Sequence, residues 1–460
     1  MKQLVLTLGL TLALFVESFA ADKPNIVLFF VDDLGWNNLG YRNPDLFETP
    51  HIDQLVQDGM DFQQGYVSGP VCSPSRATLL TGKHPARLKM VRHVRTKESK
   101  GVQLIYDDQG RPSHHILRSD PAQFPSKNWV DLEHVSYAEA LKEQGYYNLF
   151  LGKWHIGGDG FYPVDQGFDR QIGTTPFGQP SSYYPDYFKK STQLEEDDRE
   201  NYLTDRITDE LIAFIEEWDE RQPLMVSLWY YNVHSPNIGK KEYLPKFKSR
   251  PGLKGDPKRV QFAAQVAAVD ESIGRVRAAL NKTGMDKNTV VVLTSDQGSL
   301  YEWEPYRGCK TKDTLCEGGA RVPFIIAWPG VVEAGVQNHS IVQTTDLFPT
   351  FVEIAGGDPA KYDDLDGVSL VDMLKGQREL ERGEPIYGYR AYEELYASVR
   401  EGEWKLLAYR DGRTSLYQLE QDREERNDLA GEYPEKVDSL LQKLQAWEVE
   451  MGVQMYSGFQ

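Results

Sequence analysis

Asn25-Ile26-Val27-Leu28-Phe29-Phe30-Val31-Asp32-Asp33-Leu34-Gly35 is a continuous apolar, β-rich run that stops at two adjacent carboxylates. It lacks the polar alternation of a half-exposed strand, so it predicts a strand buried on both faces. Tyr147 to Leu151, Leu224 to Tyr231 and Thr289 to Thr294 have the same texture. Between them, Leu203, Ile207, Leu211, Phe214, Ile215 and Trp218 recur at helical steps, as do Val260, Ala263, Val266, Val269, Ile273, Val276 and Leu280. Buried strands alternating with amphipathic helices predict an α/β fold whose largely parallel sheet is covered on both sides. In such sheets ligands gather beyond the carboxyl ends of the strands.

The texture changes after about residue 380. Glu403 to Tyr409, a turn at Asp411-Gly412, and Ser415 to Leu419 read as a hairpin. Val437, Leu440, Leu441, Leu444 and Trp447 then mark one face of a closing helix. The expected organisation is a leader over 1–20, a large domain over 22–380 and a small C-terminal α+β subdomain over 381–460. A chain of 460 residues suits one large domain plus a smaller one. With 40% apolar, 12% aromatic and 26% charged residues it has the profile of a folded enzyme, not a disordered scaffold.

Met1-Lys2, the short apolar run Leu4 to Val16 and the small residues up to Ala20-Ala21 predict a cleaved signal peptide and hence export, to the periplasm or outside the cell if the source is bacterial. No later segment is long and apolar enough to predict a membrane span. The chain has three cysteines, Cys72, Cys309 and Cys316. The last two are near enough in sequence to bridge a loop, and whether they pair stays open. Two sequons begin at Asn281 and Asn338. The net charge of −18 argues against a nucleic-acid partner. A basic island (Lys83, Arg87, Lys89, Arg92, Arg95, Lys97, Lys100, Arg111, Arg118) nevertheless follows Cys72. It reads either as a solvated loop or as a cradle for an anionic substrate.

Asp32 and Asp33 end a buried strand, and Asp296-Gln297-Gly298 follows the end of another. Adjacent carboxylates repel unless a cation lies between them. Three carboxylates and an amide oxygen would form a single site suited to Ca²⁺ or Mg²⁺, not to zinc. Cys72, beside Arg76, reads on its own as a thiolate nucleophile or as a small buried side chain.

Cys72-x-Pro74-Ser75-Arg76 followed by Leu79-Leu80-Thr81-Gly82 resembles the segment that marks sulfatases for oxidation of a cysteine to formylglycine. The resemblance runs over nearly the whole chain after the leader. Asn25 to Gly35 resembles the family's opening metal-binding strand. Gly145 to Gly157 resembles its second signature, offering Lys153 and His155, and Val233-His234-Ser235-Pro236 resembles the segment that offers a second histidine. Asp296-Gln297-Gly298 matches the later metal ligands, although the family more often has Asn or His where Gln297 stands. A further lysine precedes Glu317-Gly318-Gly319-Ala320-Arg321, and the spacing favours Lys312 over Lys310.

The resemblance implies an alkaline-phosphatase-like α/β sandwich with a small C-terminal antiparallel sheet, and a formylglycine-dependent sulfuric ester hydrolase. One Ca²⁺ would lie on Asp32, Asp33, Asp296, Gln297 and residue 72, with formylglycine made from Cys72 by a formylglycine-generating or an anaerobic sulfatase-maturating enzyme. Arg76, Lys153 and Lys312 would neutralise the sulfate. His234 would protonate the leaving alcohol, and His155 would take a proton from the second hydroxyl of the formylglycine hydrate, so that the carbonyl reforms as sulfate leaves. A sulfated carbohydrate is the expected substrate, because Tyr183-Tyr184-Pro185-Asp186-Tyr187-Phe188 could stack on sugar rings; the same segment could be core packing. A phosphatase or phosphonate monoester hydrolase on the same scaffold, or an inactive glycan-binding relative, are the competing readings.

Overall fold

The computed structural model describes residues 23–120, 123–188, 194, 201–219, 221–380, 382–390 and 395–453. The expected leader lies outside the described residues. Eight strands form the main sheet, in the order Val336–Gln343, Met60–Tyr66, Phe324–Ala327, Thr289–Ser295, Asn25–Val31, Leu224–Trp229, Tyr147–Gly152 and Arg170–Ile172. Only Phe324–Ala327 runs antiparallel to its neighbours; the other pairings are parallel.

The opening strand shows why its sequence is apolar at every position. Val27, Phe29 and Val31 face one core together with the helices Leu203–Glu217 and Pro257–Thr283. Ile26, Leu28 and Phe30 face the other, against the helices Cys72–Thr81, Tyr137–Glu143 and Leu347–Ile354. Each such buried side chain contributes about 1.5–3 kcal/mol of burial free energy, so a polar residue on either face would be costly. The long helix begins where the Asp256 carboxylate accepts from the amides of Lys258 and Arg259, and ends at Gly284 with φ of 81°.

The expected C-terminal hairpin is part of a four-stranded antiparallel sheet, Ile386–Tyr389, Leu395–Glu401, Trp404–Tyr409 and Thr414–Gln418. The helix Pro434–Met451 lays Leu440, Leu444, Trp447 and Met451 on it. A buried ion network joins this sheet to the rest of the chain. Glu317 accepts from Lys405 at 2.9 Å and from Tyr66 Oη at 2.7 Å, Lys405 also pairs with Glu425 at 2.9 Å, and Glu425 accepts from the Glu317 amide at 2.7 Å. Burial alone would raise the Glu317 carboxyl, but Lys405, Arg321 and Arg400 outweigh it and hold it at about 2.

A third sheet was not foreseen: Val102–Tyr106, Pro112–Leu117 and Ser126–Lys127 form a small antiparallel unit within the basic island. Part of the island is engaged within the chain and withdrawn from the proposed anion cradle, while Arg95, Lys97, Lys100 and Arg118 stay exposed. Arg92 is 2% exposed and pairs with Asp120 at 3.0 Å. Arg87 pairs with Asp366 at 2.6 Å, and Lys89 donates to the Met451 and Gly452 carbonyls. The Tyr183 to Phe188 segment is likewise core and not a sugar platform, because Tyr183, Tyr187 and Phe188 are buried. Cys309 and Cys316 do not bridge: Cys309 lies in a tight turn, while Cys316 packs against Leu407 and Tyr417 of the C-terminal sheet. Among the described residues, no helix is long and apolar enough to cross a membrane.

Candidate active site

Four parallel neighbours of the main sheet end at the same edge, and their next residues carry the polar groups. Register pairs Val31 with Ser295 and Gly152 with Trp229. Asp32-Asp33, Asp296-Gln297, Lys153 and, one turn of chain later, His234 are thereby brought together. The backbone sews the strand ends: Asp32 N–H donates to Asn232 O (2.9 Å), Asp296 N–H to Val31 O (3.1 Å) and Lys153 N–H to Trp229 O (2.8 Å). Asp33 and His155 both have left-handed backbones, with φ of 63° and 61°. Such conformations cost about 1–3 kcal/mol each and persist where the surroundings over-determine them, typically at functional sites.

Cys72 is the first residue of the wholly buried helix Cys72–Thr81, which ends at Gly82 with φ of 67°. Its sulfur lies 3.5 Å from Asp32 Oδ1, 3.4 Å from Gln297 Nε2 and 3.5 Å from Lys310 Nζ, and the His155 and His234 imidazoles are close enough to act on its charge. Burial would raise the thiol, yet Lys153, Lys310 and the two imidazoles together bring it well below the ordinary range. The site is built to hold negative charge at the residue 72 side chain.

One turn later Arg76 is 0% exposed, with Nη2 2.9 Å from both Asp32 Oδ2 and Asp296 Oδ2 and Nη1 2.7 Å from Lys153 O. These bonds let Arg76 orient the carboxylates. Lys153 also pairs with Asp32. Asp32 is held below the usual range because Lys153, His234 and Arg76 outweigh burial and the Cys72 charge. Asp296 is pushed well up by burial, Asp32 and Cys72 despite Arg76. Asp33 is pushed to about 6 by burial, with Lys310 opposing. Three ionised carboxylates together with an ionised Cys72 thiol thus call for more positive charge than the two lysines and the arginine supply.

The donor set fits a hard divalent cation. The ligand atoms of Asp32, Asp33, Cys72 and Asp296 lie within 4.8 Å of one another. Gln297 donates its amide to Asp33, while its buried Oε1 has no hydrogen-bond partner. An unsatisfied buried acceptor beside crowded carboxylates is what an oxygen-liganded Ca²⁺ or Mg²⁺ would use. The metal-capable groups found among the described residues both contain Asp32 and Cys72, which makes one centre and not two.

The lysine assignment is corrected: Lys310, not Lys312, enters the site. Lys310 Nζ is 2.8 Å from Asp33 Oδ1, whereas Lys312 is exposed. Cys309 N–H donates to Lys312 O (2.8 Å) and Lys312 N–H returns to Cys309 O (3.3 Å), which closes a tight turn. That turn points the two lysines to different sides, which spacing along an extended chain does not register.

His234 Nδ1 is 2.8 Å from Ser235 O, and this partner leaves Nε2 for the Cys72 side. The Tyr183 hydroxyl donates to His234 O (2.9 Å) and Tyr231 O (2.6 Å), so the aromatic segment expected to bind sugar instead props this histidine. His155 has its imidazole lowered to about 3, burial outweighing the attraction of Cys72. Gly178 packs on its ring so closely that a Cβ there would lie 2.3 Å from Cε1. Sequence reading missed Gly178 and also His93, which stacks on His155 and has no familiar motif to flag it.

A family model described as Sulfatase matches residues 24–357, and one described as N-sulphoglucosamine sulphohydrolase, C-terminal, matches 307–450. The second begins upstream of Lys310, in keeping with the Glu317–Lys405 weld between that loop and the C-terminal sheet. The chain is 32% identical over 401 residues to the N-acetylgalactosamine-6-sulfatase of Mus musculus, covering 81% of this chain and 69% of that protein. It is 28% identical to the arylsulfatase A of Homo sapiens, over 88% and 78% of the two chains. A solved structure titled Ps i-CgsB, 27% identical, superimposes with a TM-score of 0.79 over 93% of each chain. On these matches and this site, the chain belongs to the sulfatase family and is a sulfuric ester hydrolase.

Proposed function

We propose that this enzyme removes sulfate from a sulfated carbohydrate, using one Ca²⁺ and a formylglycine made from Cys72. The observation that carries the reading is the ring of three buried carboxylates, the unpartnered Gln297 Oε1, two lysines and two imidazoles around the residue 72 side chain. A bound Ca²⁺ on Asp32, Asp33, Asp296 and Gln297 would polarise the oxygens of the nucleophile and of the sulfate. A formylglycine at 72 would supply a hydrate hydroxyl as the nucleophile.

The chain's own residues do the rest. Lys153 and Lys310 place positive charge where sulfate oxygens gather, in a water-poor site where such charge acts strongly. His234, with Nδ1 directed to Ser235 O, presents Nε2 to the leaving oxygen and gives it a proton. His155 is kept neutral by burial and can accept a proton from residue 72. Arg76 fixes the carboxylates that hold the metal.

The carbohydrate reading draws support from the N-acetylgalactosamine-6-sulfatases and from a neighbour titled as Ps i-CgsB in complex with k-i-k-neocarrahexaose, 27% identical with a TM-score of 0.78. Export through the segment 1–20 and the division at about residue 380 belong to the same proposal. Mass spectrometry of the peptide carrying residue 72, with sulfate release from a panel of sulfated saccharides, tests it. Full activity with only unmodified cysteine at 72 would refute the formylglycine; activity on aryl sulfates with none on any saccharide would refute the substrate.

A further inference from the structure

The segment that follows the Cys72 helix brings a third imidazole to residue 72. The His93 ring stacks on His155 with centroids 5.9 Å apart and planes 28° apart, close enough to Cys72 for the thiol charge to act on its imidazole. Its backbone neighbours are pinned on both sides. Val94 N–H donates to Ser73 Oγ (3.1 Å), and Ser73 Oγ donates in turn to His155 O (2.8 Å). Val91 and Arg92 N–H donate to Ser126 Oγ at 3.2 and 3.1 Å, and Arg95 N–H to Asn128 Oδ1 at 2.9 Å. The unforeseen three-stranded sheet therefore serves as a bracket that fixes His93 against the nucleophile.

A histidine that only packed would be sealed behind His155. His93 is instead partly exposed and lies within electrostatic reach of the residue 72 side chain, while the roles assigned above leave it unused. We propose that His93 is a further catalytic residue, donating a hydrogen bond to an oxygen of the sulfate group held at residue 72. This rests on the reading of residue 72 as the nucleophile. A sulfate monoester offers three terminal oxygens. Lys153 pairs with Asp32 and Lys310 with Asp33, whereas His93 stacks on His155, so the imidazole adds a donor carried by a separate segment of the chain.

The test compares His93→Ala, His93→Phe and His93→Gln on a small aryl sulfate, with modification at 72 quantified by mass spectrometry in each variant. Loss of one donor to the transferring group should lower kcat/KM about 10- to 100-fold in the Ala and Phe variants. Gln keeps an N–H donor of similar reach and should return to within about fivefold of the parent, with kcat recovering more than KM. Phe keeps the stacking face and loses the donor. Rescue by Phe and not by Gln would make His93 a support for His155 and overturn the proposal; near-parental rates in all three would do the same. Turnover by a preparation carrying only unmodified Cys72 would strike the formylglycine reading instead, and would leave the ranking of the His93 variants legible.

Discussion

Replacing Lys310 by Met removes a charge and keeps most of the side-chain volume, so it separates electrostatics from packing. Lys310 Nζ lies 2.8 Å from Asp33 Oδ1 and 3.5 Å from the Cys72 sulfur. At that separation, with an effective dielectric near 20, the direct attraction to Asp33 is about 6 kcal/mol. Even a third of it raises Asp33 by more than about one pKa unit. Since burial already sets Asp33 at about 6, the variant holds this carboxyl largely protonated at neutral pH. The enzyme then loses a cation on the sulfate and a ligand for the metal together. The kcat/KM on an aryl sulfate should fall about 10²- to 10³-fold, with a raised Ca²⁺ requirement. Lys312→Ala, at an exposed turn, should stay within about twofold of the parent. Steady-state kinetics with Ca²⁺ titration read both effects. A Lys312 variant that lost more activity than Lys310→Met would refute the placement of the turn at Cys309–Lys312.

Further outcomes can be measured. In Gly178→Ala the new Cβ would meet His155 Nε2 at 2.6 Å, so kcat should drop about tenfold or more while thermal stability barely changes; an unchanged kcat would show that the loop simply yields. Chelation should abolish activity and lower the melting temperature, and Ca²⁺ should restore both where Zn²⁺ does not, because ligation stabilises only the folded state. His84 is 3% exposed, bonded to Tyr387 O, and burial lowers its imidazole to about 4. Its folded pKa is below its unfolded one, so its stabilising effect is full above about pH 6.5 and is lost as pH falls toward 4. By pH 5 it costs about 2 kcal/mol, and His84→Gln should reduce the fall in unfolding free energy between pH 7 and 5, read from denaturant titrations, by that amount. An equal fall in both proteins would dismiss His84 as the cause.

What could be read from the chain alone was whatever is local or repeated along it. The apolar run Ile26 to Val31 required burial on both faces because its even and odd side chains both had to leave water, and the two cores of the structure use them in that alternation. Asp32, Asp33, Asp296 and Gln297 were legible for a related reason: each follows a buried strand, and parallel strands deliver their carboxyl ends to one edge. Cys72, Arg76, Lys153, His155 and His234 were picked out by the resemblance of their segments to those of sulfatases.

Contacts decided by how chain segments fold back on one another were not legible. The choice between Lys310 and Lys312 depended on a four-residue turn whose hydrogen bonds reverse the direction of the side chains. Arg92 looked like a free cation until Asp120 and the Phe124 carbonyl were placed beside it, and Tyr183 looked like a sugar platform until Tyr202 stacked on it at 5.5 Å. His93 carries no motif and becomes chemically visible only where the Ser73, Ser126 and Asn128 side chains hold its segment against Cys72. Periodicity reports whether a side chain must leave water; it carries no record of the distant partner that a charge or an imidazole will meet, because that partner is chosen by packing across the whole fold.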